Sequence, residues 1–372
     1  MLFHPKKCFF IAFNSRGRPP KIMLGDIRLT HVKSHRYLGV LFSNYLASCA
    51  PLTTIYRKRP FGDFVSNSIS KAKKALSGCK SVGYHADGLR PLTALRLFKA
   101  LVRPHLEFAS QLVFVSDAQV VDLEKFQASA CRSLLGLPLS CPRPVCRLVA
   151  GLPHPGLRRD ILALRFWLRL HEAPPGGRNT VLGALLCPGG VCPDPDSLMQ
   201  GYHRDIALIL KKHNLQHLWT RFPHSEVCPK ALKIVITSGG FSSDKILALQ
   251  GGSLYARFLL PKISRLSPLP LLSWLSRDIP RSHRDALIKG LLHNHSLKRK
   301  CPFCAFRAPV RVSGQPCPLF EHQLTACPAL AQQRGKVSDI IAQLPETLET
   351  LLSPTPSEAA CRLAAFFAEL RL

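Results

Sequence analysis

Four residues near the C-terminus have the types and spacing of a metal centre. Cys301 and Cys304 enclose two residues, and Cys327 follows His322 at an offset of five. The close pair fits a tight loop whose thiolates converge. The second pair fits the start of a helix, where offsets of four and five roughly align. Three thiolates and one imidazole form a closed tetrahedral set of the structural zinc type, with no open position for catalysis. Cys317, five residues before His322, is a rival ligand. Zinc bound there is expected to contribute roughly 10 kcal/mol or more to folding, on the scale of zinc-finger peptides.

The second chemistry is charge. The chain of 372 residues carries 51 Lys and Arg against 22 Asp and Glu, a formal net charge of +29. Such a balance points to a polyanion, most often nucleic acid, with a membrane surface as the competing partner. Residues 1–115 hold 19 basic and 4 acidic side chains, whereas residues 301–372 hold 6 of each. The basic density is therefore highest in the first third. Lys71, Lys73, Lys74 and Lys80 add charge to one helical stretch there. They are the candidate phosphate contacts, although runs of charge are commonly solvated faces.

These groups need elements to position them. Residues 7–13 are apolar on both alternations, which suits a strand buried on both faces. Lys21–Leu24 and Ile27–Val32 flank Gly25-Asp26, the pattern of a type II′ hairpin. Tyr37–Phe42 reads as a further strand with Gly39 inside it, where another backbone or a ligand would approach closely. From Pro60 the period becomes helical. Phe61, Val65, Ser68, Ala72, Ala75, Leu76 and Cys79 follow the 3/4 spacing, and Gly78 reads as a stop. Leu92–Phe114 reads as a helix with a kink or break at Pro104. A third helix is capped by Ser116 or Asp117, carries Val120, Leu123, Phe126, Ala130 and Leu134, and ends at Gly136 and Pro138. A fourth spans Leu157–Leu170, with Arg158, Arg165 and Arg169 beside its apolar face.

Residues 173–195 read as a linker, rich in Pro, Gly and Cys. Residues 197–295 read as helical again, with breaks at Gly239-Gly240, Gly251-Gly252 and Pro268/Pro270. Short helices are expected at Phe320–Gln333, Val337–Leu344 and Glu358–Leu370. No stretch is long and apolar enough for a transmembrane helix, and no secretory signal is visible. Ten of the fourteen cysteines are scattered without a pairing rhythm, so a reducing, intracellular setting is expected, nuclear or cytoplasmic. Lys298-Arg299-Lys300 is a short basic cluster beside Cys301. The expected class is α+β, mostly α: a small antiparallel sheet remnant, a helical middle and a zinc-stapled end.

The order of these features resembles the C-terminal part of a non-LTR retrotransposon reverse transcriptase. Lys6-Lys7-Cys8 before an apolar strand is similar to that family's Lys-Thr or Lys-Cys step, and the Gly25-Asp26 hairpin to its next element. Arg36-Tyr37-Leu38-Gly39-Val40 resembles the Tyr-Leu-Gly motif of the primer grip. Pro104, Leu106, Phe108, Ala109 and Ser110 resemble a thumb signature of Pro, Leu, aromatic, Ala or Gly, Ser. Leu123-Glu124-Lys125-Phe126-Gln127 resembles a Leu-Glu-x-x-Gln helix, and Leu134–Pro138 the Leu-Gly-x-Pro step after it. Cys301, Cys304, His322 and Cys327, with Glu321 before the histidine, resemble the terminal Cys-Cys-His-Cys zinc module. The resemblance is densest over 1–170 and 300–330. It implies residual palm strands over 1–50, a thumb-like domain over 51–150, a helical linker over 151–296 and a zinc module over 297–372. It also implies that Lys7, Tyr37, Leu38 and Gly39 join the four lysines in gripping nucleic acid.

The departure is as informative as the match. These polymerases need carboxylates that hold two metal ions about 3.5–4 Å apart. In the family they precede the Lys7 counterpart, and none of the six residues before Lys7 is acidic. No polymerase activity is expected from this chain alone. Nor does an acidic cluster of nuclease type follow Cys327. What remains is binding of RNA or DNA, duplex by its backbone. The competing reading is a helical protein-interaction scaffold with a structural zinc. Oligomeric state is not legible.

Overall fold

The computed structural model describes residues 8–12, 18–37, 40–43, 62–81, 89, 91–171, 202–220, 229–249, 304, 326–335, 337–342, 358, 362 and 365–366. The class is α+β, mostly α. The chain divides into two compact units, each assembled from three segments. One comprises residues 1–73, 105–123 and 162–224; the other comprises 74–104, 124–161 and 225–372.

The strands are short and lie in the first unit. β2 (Met23–Leu24) and β3 (Ile27–Arg28) close the expected hairpin, with Leu24 opposite Ile27. Gly25 takes φ +59° and Asp26 does not have positive φ, the sign pattern of a type II′ turn. β1 (Phe9–Phe10) pairs with β4 (Thr30–His31). That pairing is parallel, so the remnant is not purely antiparallel. The expected strand buried on both faces is corrected too. Among the described residues 8–12, only Phe9 and Phe10 are in strand, and Phe9 is 41% exposed. Apolar alternation cannot tell which faces find cover.

The stretch around Gly39 also differs from expectation. β5 (Ser34–Tyr37) and β6 (Val40–Ser43) are antiparallel partners, and Tyr37 pairs with Val40. A hairpin thus replaces the single strand expected over Tyr37–Phe42. Leu38 and Gly39, between the paired ends, lie outside the described residues.

α1 (Gly62–Ser81) buries Phe64, Val65, Ser68, Ala72, Leu76 and Cys79. It runs through Gly78, whose carbonyl accepts a hydrogen bond from Ser81 Oγ at 2.7 Å. One glycine near a helix end costs about 1 kcal/mol, which the packed stripe offsets.

α2 (Pro91–Leu97) continues through a π-helical segment, Phe98–Val102, into α3 (Arg103–Glu107). Pro104 explains the widened turn. A proline has no N–H to give and its ring collides with the carbonyl four residues back. Shifting the ladder to i−5, as in the Arg103 N–H to Phe98 carbonyl bond, avoids a break. The helix stops at Glu107 rather than Phe114. Ala109 sits at φ 55°, and Ser110 Oγ closes the turn on the Glu107 carbonyl at 2.6 Å. A left-handed position costs any residue with a Cβ about 1–2 kcal/mol, so Ala109 holds a strained turn.

α4 (Asp117–Leu135) agrees with its sequence signals at both ends. Gln119 Oε1 accepts the Ser116 backbone N–H at 2.8 Å, half of a capping box. Gly136 at φ 65° ends the helix, and Leu137 N–H returns to the Arg132 carbonyl at 3.0 Å. α5 (Arg143–Ala150) has no counterpart among the expected helices. It is followed by α6 (Pro155–His171), which matches the fourth expected helix.

α7 (Tyr202–Lys212) and α8 (His217–Thr220) pack in the first unit. Trp167 and Trp219 stack there at 5.9 Å, and His203 meets Trp219 edge-on. α9 (Pro229–Leu249), in the second unit, packs on α5 and runs unbroken through Gly239-Gly240. A Cβ on Gly240 would lie 2.0 Å from Leu157 Cδ1. Gly240 therefore permits a close approach of α6 rather than breaking α9. At the C-terminal end, the described residues form a 3-10 turn (Pro328–Leu330), α10 (Ala331–Gly335) and α11 (Ser338–Ala342). Residues 173–195, Gly251-Gly252 and Pro268/Pro270 lie outside the described residues.

Candidate nucleic-acid interface

On α1 most of the buried side chains lie apart from the lysines, although buried Phe64 falls close to Lys71. At about 100° per residue, Val65, Ser68, Ala72, Leu76 and Cys79 fall on one arc. Lys71, Lys73 and Lys74 fall on the opposite one, and all three are exposed. Lys80 falls at the edge of that arc by position in the helix. Three ammonium groups on one solvent face of a packed helix can follow a phosphate backbone. Among the other expected contacts, Tyr37 is placed at the end of β5. Lys7, Leu38 and Gly39 lie outside the described residues.

α6 presents a second basic face. Arg165 and Arg169 are exposed one turn apart, and Arg158 is half-buried. Arg169 lies over the Phe166 ring at 5.9 Å, a contact that steadies the guanidinium. Lys99 is different. Burial, and then the nearby Arg103, push its pKa down, so it is a poor phosphate contact.

The residues carrying the reverse-transcriptase resemblance occupy structural positions here. Leu123 is buried. Gln127 Nε2 donates to the Pro153 carbonyl at 3.1 Å, tying α4 to the loop before α6. Glu124 accepts from Arg143 at 2.8 Å and also from Arg147. Arg147 donates through Nε to Asp244 Oδ2 at 2.9 Å and through Nη2 to Oδ1, a forked contact. Its side chain is 2% exposed. Burial alone would lower its pKa, but Asp244 and Glu124 more than reverse that. This clamp joins α4, α5 and α9. Sequence reasoning misses it, because partners 23 and 97 residues away leave no local signal.

Of the four expected zinc ligands, Cys304 lies in a bend and Cys327 is fully buried at the start of the 3-10 turn. The Cys327 carbonyl accepts from Leu330 N–H and from Arg334. Cys301 and His322 lie outside the described residues. Among the described residues no three metal-donor side chains gather, and only half of the expected ligand set is among them. No described helix is long and apolar enough to cross a membrane. No known protein family, curated protein or solved structure matches the chain significantly.

Proposed function

We propose that the chain is a nucleic-acid-binding C-terminal remnant of a non-LTR reverse transcriptase, without a catalytic centre of its own. The observation that carries this reading is the lysine face of α1, with Lys71, Lys73 and Lys74 all exposed in a chain of charge +29. Nucleic-acid backbone is the polyanion such a face suits, and contacts to it set position without reading sequence. The motifs behind the resemblance support it secondarily, since Gly136 takes a left-handed conformation that favours glycine.

The test is salt-dependent binding of an RNA–DNA duplex, followed by fluorescence anisotropy. Each lysine–phosphate contact adds about 0.9 to the slope of log K against log salt. Replacing Lys71, Lys73, Lys74 and Lys80 with alanine should flatten that slope by about 3 to 4. Affinity should fall by on the order of a hundredfold or more near about 0.15 M salt. An unchanged slope and affinity would remove α1 as the interface.

Cys301, Cys304, His322 and Cys327 would hold a zinc ion in this reading, and the ion would supply folding energy rather than catalysis. The donor chemistry fits, and a fully buried Cys327 suits a structural ligand. Metal analysis of purified protein should give one zinc per chain, falling with loss of Cys327. A stoichiometry near zero with all thiols titratable would end the assignment.

A scaffold function is favoured by a different observation. α9 leaves Ile234, Val235, Ile246 and Leu247 more than half exposed. A chain that ignores nucleic acid at low salt would fit that second reading better.

A further inference from the structure

Three cysteines of the second unit, Cys131, Cys141 and Cys146, are all 0% exposed and not in disulfides. Two of them touch. Cys141 directly precedes Pro142, the N-cap of α5, and Cys146 lies one turn into that helix. These are the two positions whose side chains meet across the start of a helix in a hydrophobic staple. Here both are thiols. Each thiol shifts the other's pKa, as close neighbours do. Cys146 Sγ also lies 3.7 Å from the Cys141 carbonyl, and Cys141 Sγ 3.9 Å from the Pro142 carbonyl.

The Cys141 backbone is held from the other side. Arg132 grips its carbonyl through Nη2 at 2.7 Å and Nε at 3.2 Å and so fixes the loop between α4 and α5. The thiols therefore meet on a backbone braced at both ends, by Arg132 before α5 and by the Arg147 clamp within it.

We propose that Cys141 and Cys146 form a redox site: a hydroperoxide converts the thiol staple at the start of α5 into a disulfide across that helix end. In the first step the Cys146 thiolate attacks a peroxide oxygen. The O–O bond breaks, an S–O bond forms, and hydroxide leaves, giving a sulfenic acid. In the second step the Cys141 thiol attacks that sulfur. The S–S bond forms, the S–O bond breaks, and water leaves with the thiol proton. Two sulfurs are oxidised and one peroxide is reduced.

The electrostatics favour Cys146 as the attacking sulfur. Its pKa is lowered by the neighbouring Cys141 and by Arg132 and Arg147, against the opposing effect of burial. Cys146, with burial, in turn raises Cys141. Cys131 is pushed far up by burial and is an internal control in the same core. Access to a fully covered thiol requires local opening at the start of α5, so the reaction is slow unless that turn frays.

Native full-length protein, treated with hydrogen peroxide and then alkylated in denaturant, reads the outcome directly. Tryptic mass spectrometry should show Cys141 and Cys146 linked, with the loss of two hydrogens, while Cys131 is alkylated. Dithiothreitol should reverse the link. Cys146→Ser should abolish it, and Cys141→Ser should leave a sulfenic acid at Cys146 trapped by dimedone. The wild-type experiment stands by itself if a variant fails to fold. Full alkylation of both cysteines after treatment, or a link to Cys131 instead, would overturn the proposal.

Discussion

Arg147→Ala should be the most damaging single substitution in the described core, with a loss of about 3–5 kcal/mol. The reason lies in what is left behind. Removing the guanidinium strands Asp244, 7% exposed, and leaves Glu124 with only the half-exposed Arg143. A buried carboxylate without a partner carries most of its desolvation penalty. Arg147→Lys should recover little, because one ammonium cannot match a forked contact to Asp244 and a separate bond to Glu124. Arg143→Ala should cost less than about 1 kcal/mol, since its side chain is 42% exposed. Changing every clamp member at once would leave no charge stranded and so could not report on the pairing. The single changes are the test: Arg147→Ala, Arg147→Lys and Asp244→Asn, followed by urea unfolding. If Arg147→Ala unfolded within about 1 kcal/mol of the parent, the clamp would be ornamental.

That clamp also marks where the sequence stops being readable. α4 is legible because its signals are local. Ser116 and Gln119 sit three residues apart, and Gly136 needs only its own φ. The lysine face of α1 is legible for the same reason, as helical spacing alone separates Lys71 and Lys74 from Ala72 and Leu76. α5 is not. It is eight residues long, opens on Arg-Pro, and carries a buried arginine that reads as surface charge. Gly239-Gly240 reads as a break because the side chain that packs against Gly240, that of Leu157, lies in another helix. In both cases the deciding contact is distant in sequence. The hairpin at Tyr37–Val40 escapes for a different reason. β-branched and aromatic residues favour a strand on either side of a turn without marking the turn.

Asp205→Asn should stabilise the protein at about pH 7.5 by about 1–3 kcal/mol, and the gain should vanish below about pH 4. Asp205 lies in the first unit on α7, where burial pushes its pKa up to about 6 from 3.8, with Arg204 opposing. The sign follows from which state holds the proton. Between pH 3.8 and 6 the unfolded chain ionises this carboxyl while the folded chain still protonates it. The folded state then binds more protons, so stability falls as pH rises through that window. Above it, the folded chain carries a poorly solvated carboxylate that asparagine would not. The full shift corresponds to about 3 kcal/mol at about 1.4 kcal/mol per pKa unit, and partial solvent access lowers the expected range. His203, two residues earlier on the same helix and lowered by burial, titrates nearby with the opposite sign. Comparing the variant with its parent at each pH cancels His203 and isolates Asp205. Thermal unfolding from about pH 4 to 8 would show the two curves diverging as pH rises. Parallel curves, or a variant weaker than its parent at neutral pH and above, would mean that the carboxylate is solvated or paired in the folded chain.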